Sequence, residues 1–161
     1  EKTIKRNLYS FHNHSMTGGF SMFEKQTVKN IMTSKIISVL PGDSVQEAAK
    51  QMQEHDIGSL PVISAGSLRG ILTDRDIVLR CVAQGKSPEQ MKVSDIMTKE
   101  VVFLTANQPI GDAEKMMEIE QVRRLPVVDR GIVQGMVSVA DIARYAGDHE
   151  IANVVGKIST K

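Results

Sequence analysis

The segments Gly70-Ile71-Leu72-Thr73-Asp74-Arg75-Asp76 and Gly135-Met136-Val137-Ser138-Val139-Ala140-Asp141 each place a hydroxyl three residues ahead of a carboxylate. Two chemistries use that spacing. Just before an apolar run, Thr73 with Asp76 and Ser138 with Asp141 suit the N-terminus of a helix, as a capping pair. A carboxylate so placed can also accept hydrogen bonds from a ribose diol, while the hydroxyl meets ribose or phosphate. The uses are compatible, because a helix N-terminus also favours an anion. Arg123 and Arg124 are the other feature with binding chemistry. Adjacent arginines usually stay solvated. A guanidinium is nonetheless well matched to phosphate through paired hydrogen bonds.

Catalytic and metal chemistry has less to work with. No Ser-His-Asp, Cys-His or paired-carboxylate arrangement stands out, and there is no Walker-type phosphate loop. These absences point away from an enzyme. His12 and His14 form a His-x-His pair, with His55 and His149 scattered. A zinc site needs three or four ligands, so no metal site is expected. Cys81 is the single cysteine, which rules out an internal disulfide and fits a reducing cytoplasm. Its spacing with Ile77 and Val78 reads as a small core residue. Lys and Arg number 20 against 19 Asp and Glu, which argues against direct nucleic-acid binding. No apolar run reaches membrane-spanning length, and no signal peptide is evident. With 41% hydrophobic residues, 4% aromatics and no Trp, the core must come from Val, Ile, Leu, Ala and the nine Met.

What positions these residues is a repeat. Ile31-Met32-Thr33 and Ile96-Met97-Thr98 lie 65 positions apart (96 − 31). At the same offset, without gaps, Leu60-Pro61-Val62 falls on Leu125-Pro126-Val127, Gly70 on Gly135 and Asp76-Ile77 on Asp141-Ile142. Two copies are too few for a solenoid and suggest a pseudo-symmetric pair, each copy covering the other's apolar face. Each copy reads strand, helix, strand, strand, helix. In the first, Ile36 to Val39 is a β-branched strand and Pro41-Gly42 a turn. Ser44 with Glu47, or Asp43 with Gln46, opens a helix bearing Val45, Ala48 and Met52 on one face. Ser59 to Ile63 and Leu68 to Leu72 pair around Ala65-Gly66. A last helix runs from about Asp74 to Ala83 and stops at Gly85. Pro109 sits where a first-turn proline is tolerated, and Val28 to Ile31 and Val93 to Ile96 are short helical lead-ins. The expected divisions are an irregular leader at 1–27, repeats at 28–84 and 93–147, a linker at 85–92 and a tail at 148–161. Because the chain begins with Glu1 rather than Met, the leader is expected to be partly added sequence or to follow a missing start.

Taken together, the doubled Ile-Met-Thr opening, the Leu-Pro-Val strand and the Gly-x-x-[Ser/Thr]-x-x-Asp segment resemble the CBS family, whose paired repeats form a Bateman module. The resemblance covers residues 28 to about 147. It implies an α+β fold, with two pseudo-symmetric repeats (β-α-β-β-α each) packed as one module, and often a homodimer. It also implies two clefts between the copies that bind an adenine nucleotide of the AMP, ADP or ATP class, and an unidentified protein partner that reads the bound state. By family geometry one cleft gathers Asp141, Ser138, Arg124 and Arg123 with Thr33, Ile36 and Ile57. The other gathers Asp76, Thr73 and Ser59 with Thr98, Val101 and Val122. In relatives a basic residue just before the Leu-Pro-Val strand meets phosphate. Copy one has Gly58-Ser59 there, so the Arg124 cleft is expected to be the better phosphate site, with Arg75 as a possible source of charge in the other. Adenine would rest on aliphatic side chains, since no stacking aromatic is at hand. The alternatives are a ligand-free dimeric interaction scaffold and a nucleic-acid-binding module.

Overall fold

The computed structural model describes residues 26–146 and Gly156. In chain order the elements are helices α1 (Val28–Ile31) and α2 (Val45–Glu54), strands β1 (Ser59–Ser64) and β2 (Ser67–Thr73), and helix α3 (Asp74–Arg80). There follow a 3-10 turn at Val82–Gln84, helices α4 (Val93–Ile96) and α5 (Ile110–Glu120), strands β3 (Arg124–Asp129) and β4 (Ile132–Ser138), and helix α6 (Val139–Ala146). The leader reading and the His12–His14 pair fall outside the described residues, as do His149 and all of the tail except Gly156.

Local chemistry explains most of these elements. Ser44 caps α2, its Oγ accepting the Glu47 N–H at 3.1 Å, while the rival Asp43 accepts from Leu40 N at 2.8 Å. Val45, Ala48 and Met52 then face inward at helical spacing. Strands β1 and β2 pair antiparallel from Ser59 opposite Thr73 to Ser64 opposite Ser67, with an irregularity at Val62/Ile63. Their two-residue turn has Ala65 at φ 52° and Gly66 at φ 75°, the geometry that follows the right-handed twist of a hairpin. Arg130 (φ 49°) and Gly131 (φ 81°) repeat it between β3 and β4. Gly85, at φ 65°, ends the 3-10 turn. Pro109 is the N-cap of α5, one place before the first turn proper.

The expected first strand of each copy is only a single bridge. Val39 N donates to Pro61 O (3.2 Å) and accepts, through its carbonyl, from Ile63 N (2.9 Å). Extending this parallel ladder upstream needs an N–H at Pro61, and extending it downstream needs one at Pro41. Neither proline has it. In the second copy Leu104 bridges Val127. There Pro126, which has no N–H to offer the Val102 carbonyl, blocks the upstream step. A β-branched run cannot become a ladder when either strand lacks a donor at the required position.

The chain gathers into two compact units whose division cuts across the repeat. Among the described residues, the first holds 37–101 with 131–133, and the second holds 26–36, 102–130, 134–146 and Gly156. Each unit therefore takes the body of one copy and the lead-in helix of the other. In the first unit Val93 N donates to Asp43 O (2.9 Å), Ser94 N to Pro41 O (2.9 Å) and Val45 N to Met91 O (2.9 Å). In the second, Val28 N donates to Gln108 O (2.8 Å), Lys29 N to Ala106 O (2.9 Å) and Ile110 N to Gln26 O (3.2 Å). The three bonds correspond one by one under the shift of 65 positions (93 − 28).

Both units have their own apolar core. The first packs Val45, Ala48, Met52, Leu60, Val62, Leu72, Ile77 and Cys81 around Val93 and Ile96 from α4. The second packs Leu104, Ile110, Ala113, Met116, Met117, Leu125, Val127, Val137 and Ile142 around Val28 from α1. Cys81 is fully buried, as its spacing suggested, with Sγ 3.4 Å from the Lys86 carbonyl. Val78, which shared that spacing, instead faces solvent at 54% exposure.

Candidate functional site

The start of α3 carries the first pair of nominated residues. Thr73 Oγ1 accepts from Asp76 N (3.1 Å), and Asp76 Oδ2 accepts from Thr73 N (3.0 Å) and Thr73 Oγ1 (2.7 Å). This is a reciprocal capping box. It fixes the carboxylate and leaves Oδ1 facing away from the cap. At the start of α6, Ser138 Oγ accepts from Asp141 N (3.2 Å), and Asp141 Oδ2 accepts from Ser138 N (2.8 Å) and Ser138 Oγ (2.6 Å). The capping reading of both motifs holds, and it presents the second carboxylate oxygen in the same way twice.

The lead-in of the other copy lies alongside. Thr98 exchanges two backbone bonds with Ile71, both 2.9 Å, two residues before Thr73. Thr33 does the same with Met136, at 2.9 and 3.0 Å, two residues before Ser138. Glycine permits the approach. A Cβ on Gly70 would sit 2.7 Å from Thr98 O, and one on Gly135 would sit 2.8 Å from Thr33 O. The glycines of the motif are thus seats for the lead-in backbone.

The remaining nominated residues differ between units. Ser59 is the cross-strand neighbour of Thr73. Its Oγ is buried and has no hydrogen-bond partner among the described residues. Arg124 opens β3 and is exposed. The Arg123 carbonyl accepts from Val139 N at 3.0 Å, which sets this arginine beside the first residue of α6. Gly58 makes the equivalent bond to Asp74 N at 3.1 Å. Val101 is buried in the first unit, and Ile36 is half-buried in the second. Ile57 packs on the core of the first unit and Val122 on that of the second, so each lies in a different unit from the Asp-containing group it was assigned to.

Two arginines went unnoticed in the sequence. Arg80 Nη1 lies 3.3 Å from Asp76 Oδ1, donates to Ile96 O at 2.7 Å and lies 3.4 Å from Thr98 Oγ1. Arg144 holds Asp141 Oδ1 from one turn along α6. Spacings of three and four residues along a helix were the available signal. Arg80 and Arg144 are not repeat equivalents: position 145, which matches 80, is Tyr, and position 79, which matches 144, is Leu. Arg75, considered earlier for charge, is exposed, and its backbone N–H is held by Asp74 at 2.7 Å.

An open groove of about 310 Å³ in the second unit is lined by Lys29, Met32, Thr105, Ala106, Asn107, Asp129 and Gln134. It contains none of the nominated residues. Among the described residues no group of three or more His, Cys, Asp or Glu could hold a metal ion. No described helix is long and apolar enough to cross a membrane.

The family model of the CBS domain matches residues 28–82 and 93–148. The chain belongs to the CBS domain family. It is 43% identical over 117 residues to the CBS domain-containing protein YhcV of Bacillus subtilis (strain 168), covering 73% of this chain and 83% of that one. It is 36% identical over 133 residues to Hypoxic response protein 1 of Mycobacterium tuberculosis, covering 82% and 93%. The crystal structure of Hypoxic Response Protein I with two coordinated zinc ions superposes with a TM-score of 0.70, at 36% identity, covering 74% and 98%. The CBS domain pair of protein MJ0100, in complex with 5′-methylthioadenosine and S-adenosyl-L-methionine, superposes with a TM-score of 0.69 at 32% identity, covering 76% and 96%. The fold is thus the α+β fold of a tandem CBS pair.

Proposed function

We propose that this chain is a non-catalytic regulatory module that binds an adenine nucleotide where the body of one CBS repeat meets the lead-in of the other. The observation that carries the reading is the doubled capping box. In both units an Asp is fixed by Oδ2 while, among the described residues, Oδ1 meets an arginine of the same helix, near a threonine backbone from the other repeat. An ionised carboxylate has lone pairs enough to keep its cap and still accept a ribose hydroxyl. The MJ0100 pair, crystallised with two adenosyl compounds, supports an adenosine ligand for this architecture.

In this reading Asp141 and Asp76 take the ribose, and Ser138 and Thr73 lie toward ribose or phosphate. Arg124, with Arg123, meets the phosphate in the second unit. Thr33, Ile36, Thr98 and Val101 wall the adenine. For regulation, the nucleotide must bind one pose of the module better than another, since equal affinity shifts nothing. A single buried cysteine fits a reducing compartment such as the cytoplasm.

A thermal-unfolding panel of AMP, ADP, ATP, S-adenosylmethionine, NAD and GMP tests the proposal. A ligand at a hundred times its Kd adds about 2.7 kcal/mol of stability. The expected result is a selective, concentration-dependent shift with an adenine compound. Arg124→Ala should cost about 1.5–3 kcal/mol of AMP binding, roughly ten- to a hundredfold in Kd. No shift with any compound, in folded protein, would favour the second reading, a ligand-free dimeric scaffold. That alternative draws on Val78, Leu79 and Val82, which are 54%, 47% and 59% exposed along α3 and the following turn.

A further inference from the structure

We propose that Arg80 supplies the phosphate-binding charge of the first unit, in place of the Arg123–Arg124 pair that its repeat lacks. The inference rests on the adenine-nucleotide reading and deepens it. Where the second repeat has Arg123-Arg124, the first has Gly58-Ser59, so its strand carries no cation. The geometry supplies one from the far end of the helix. Arg80 sits in the last turn of α3 and reaches back, so that Nη1 touches Asp76, Ile96 O and Thr98 together. It therefore contacts two of the residues assigned to the nucleotide, one from each repeat.

The way it is held matters as much as where. Every contact is made by Nη1. Nε and Nη2 have no partner among the described residues, and the side chain is 48% exposed. Pinned at one nitrogen, the guanidinium presents its Nε–Nη2 edge, the two-pronged face that fits a phosphate. Its five N–H donors let it bridge the Asp76 carboxylate and a second anion at once. The pinning also lowers the rotamer freedom lost when that anion arrives. Among the described residues the Arg75 side chain has no such anchorage.

The obvious alternative is a purely structural tether, because Ile96 O is a helix-end carbonyl that a basic side chain can cap. Calorimetric titration of the full chain with AMP and with adenosine separates the two roles. It would be run on the wild type, Arg80→Gln and Arg80→Ala, each also in an Arg124→Ala background. Arg80→Gln keeps an N–H donor for Ile96 O and removes the charge. Charged hydrogen bonds to phosphate predict that both Arg80 variants weaken one AMP site about ten- to a hundredfold. Adenosine affinity should stay within about twofold of the wild type in Arg80→Gln. In the Arg124→Ala background, losing Arg80 should then abolish the preference for AMP over adenosine. Unchanged AMP binding overturns the proposal. So does an equal loss of AMP and adenosine in Arg80→Gln, the signature of a tether. Failure of the wild type to bind either compound overturns the adenine reading itself, and Arg80's role with it.

Discussion

Substituting Gly70 by Ala is the sharpest test of how the lead-in is seated. The new Cβ would lie 2.7 Å from Thr98 O and 2.8 Å from Met97 Sδ. The methionine can swing away, but the carbonyl cannot, because it is bound to Ile71 N at 2.9 Å while Thr98 N is bound to Ile71 O at 2.9 Å. To reach an ordinary contact of 3.4 Å the Thr98 backbone must retreat by about 0.7 Å, stretching both bonds. Overpacking costs about 1–3 kcal/mol, and weakening two backbone bonds costs about 1 kcal/mol each at most. The stiffer unfolded chain returns about 0.4–1 kcal/mol. The net expectation is a loss of about 2–4 kcal/mol, or roughly 4–15 °C in Tm for a chain of this size. Urea unfolding followed by circular dichroism reads it directly. Gly42→Ala is the control, since its Cβ would meet nothing within 4 Å, and it should leave stability unchanged or raise it by up to about 1 kcal/mol. If Gly70→Ala unfolds at the same urea concentration as Gly42→Ala, the close-approach argument is wrong for this glycine and for Gly135.

Ser59→Ala removes a buried hydroxyl that has no partner among the described residues, so unfolding should become harder by about 1 kcal/mol; a loss of stability would mean that the hydroxyl is satisfied in solution. Ala65→Asn places a residue tolerant of left-handed backbone at φ 52° in a turn that prefers Asn-Gly, and should add up to about 1 kcal/mol. A neutral result in the same urea assay would count against that turn geometry. Asp112 is held above the usual carboxylate range by burial, with Lys115 and a hydrogen bond from Gln108 pulling the other way. An acid with a raised folded pKa binds its proton more tightly when folded, so stability declines as pH rises from the ordinary carboxylate range through the raised value. Asp112→Asn should therefore gain on the wild type between pH 4 and pH 7, and a difference independent of pH would refute the assignment.

Local features were readable because local chemistry determines them. The boxes at Thr73–Asp76 and Ser138–Asp141, the Ser44 cap and the Ala65-Gly66 turn each need only three or four consecutive residues. The doubled pattern made the CBS architecture readable as well. The first strand misled because Ile36 to Val39 has strand propensity, while what limits it is the absence of N–H groups at Pro41 and Pro61, the latter more than twenty residues away. Arg80 was missed for a related reason. Its partners Ile96 and Thr98 lie in the other repeat, and helical spacing reveals only its link to Asp76. Val78 looked internal from its spacing with Ile77, yet the helix turns it toward solvent. Ile57 and Val122 were placed by analogy, and each packs against the core of its own unit.

The reciprocal lending of α1 and α4 has a consequence for how such a chain can be inherited and cut. Neither half of the sequence encodes a finished object. A fragment ending in the linker would carry one body without the helix that seals it, together with a helix cut to seal another. Mixing the two different halves is expected to restore both seals, whereas two copies of one half would offer each body a helix shaped for the other. The linker adds effective concentration, keeping the right complement within reach, to the bonds that Pro88 and Met91 accept from the start of α2.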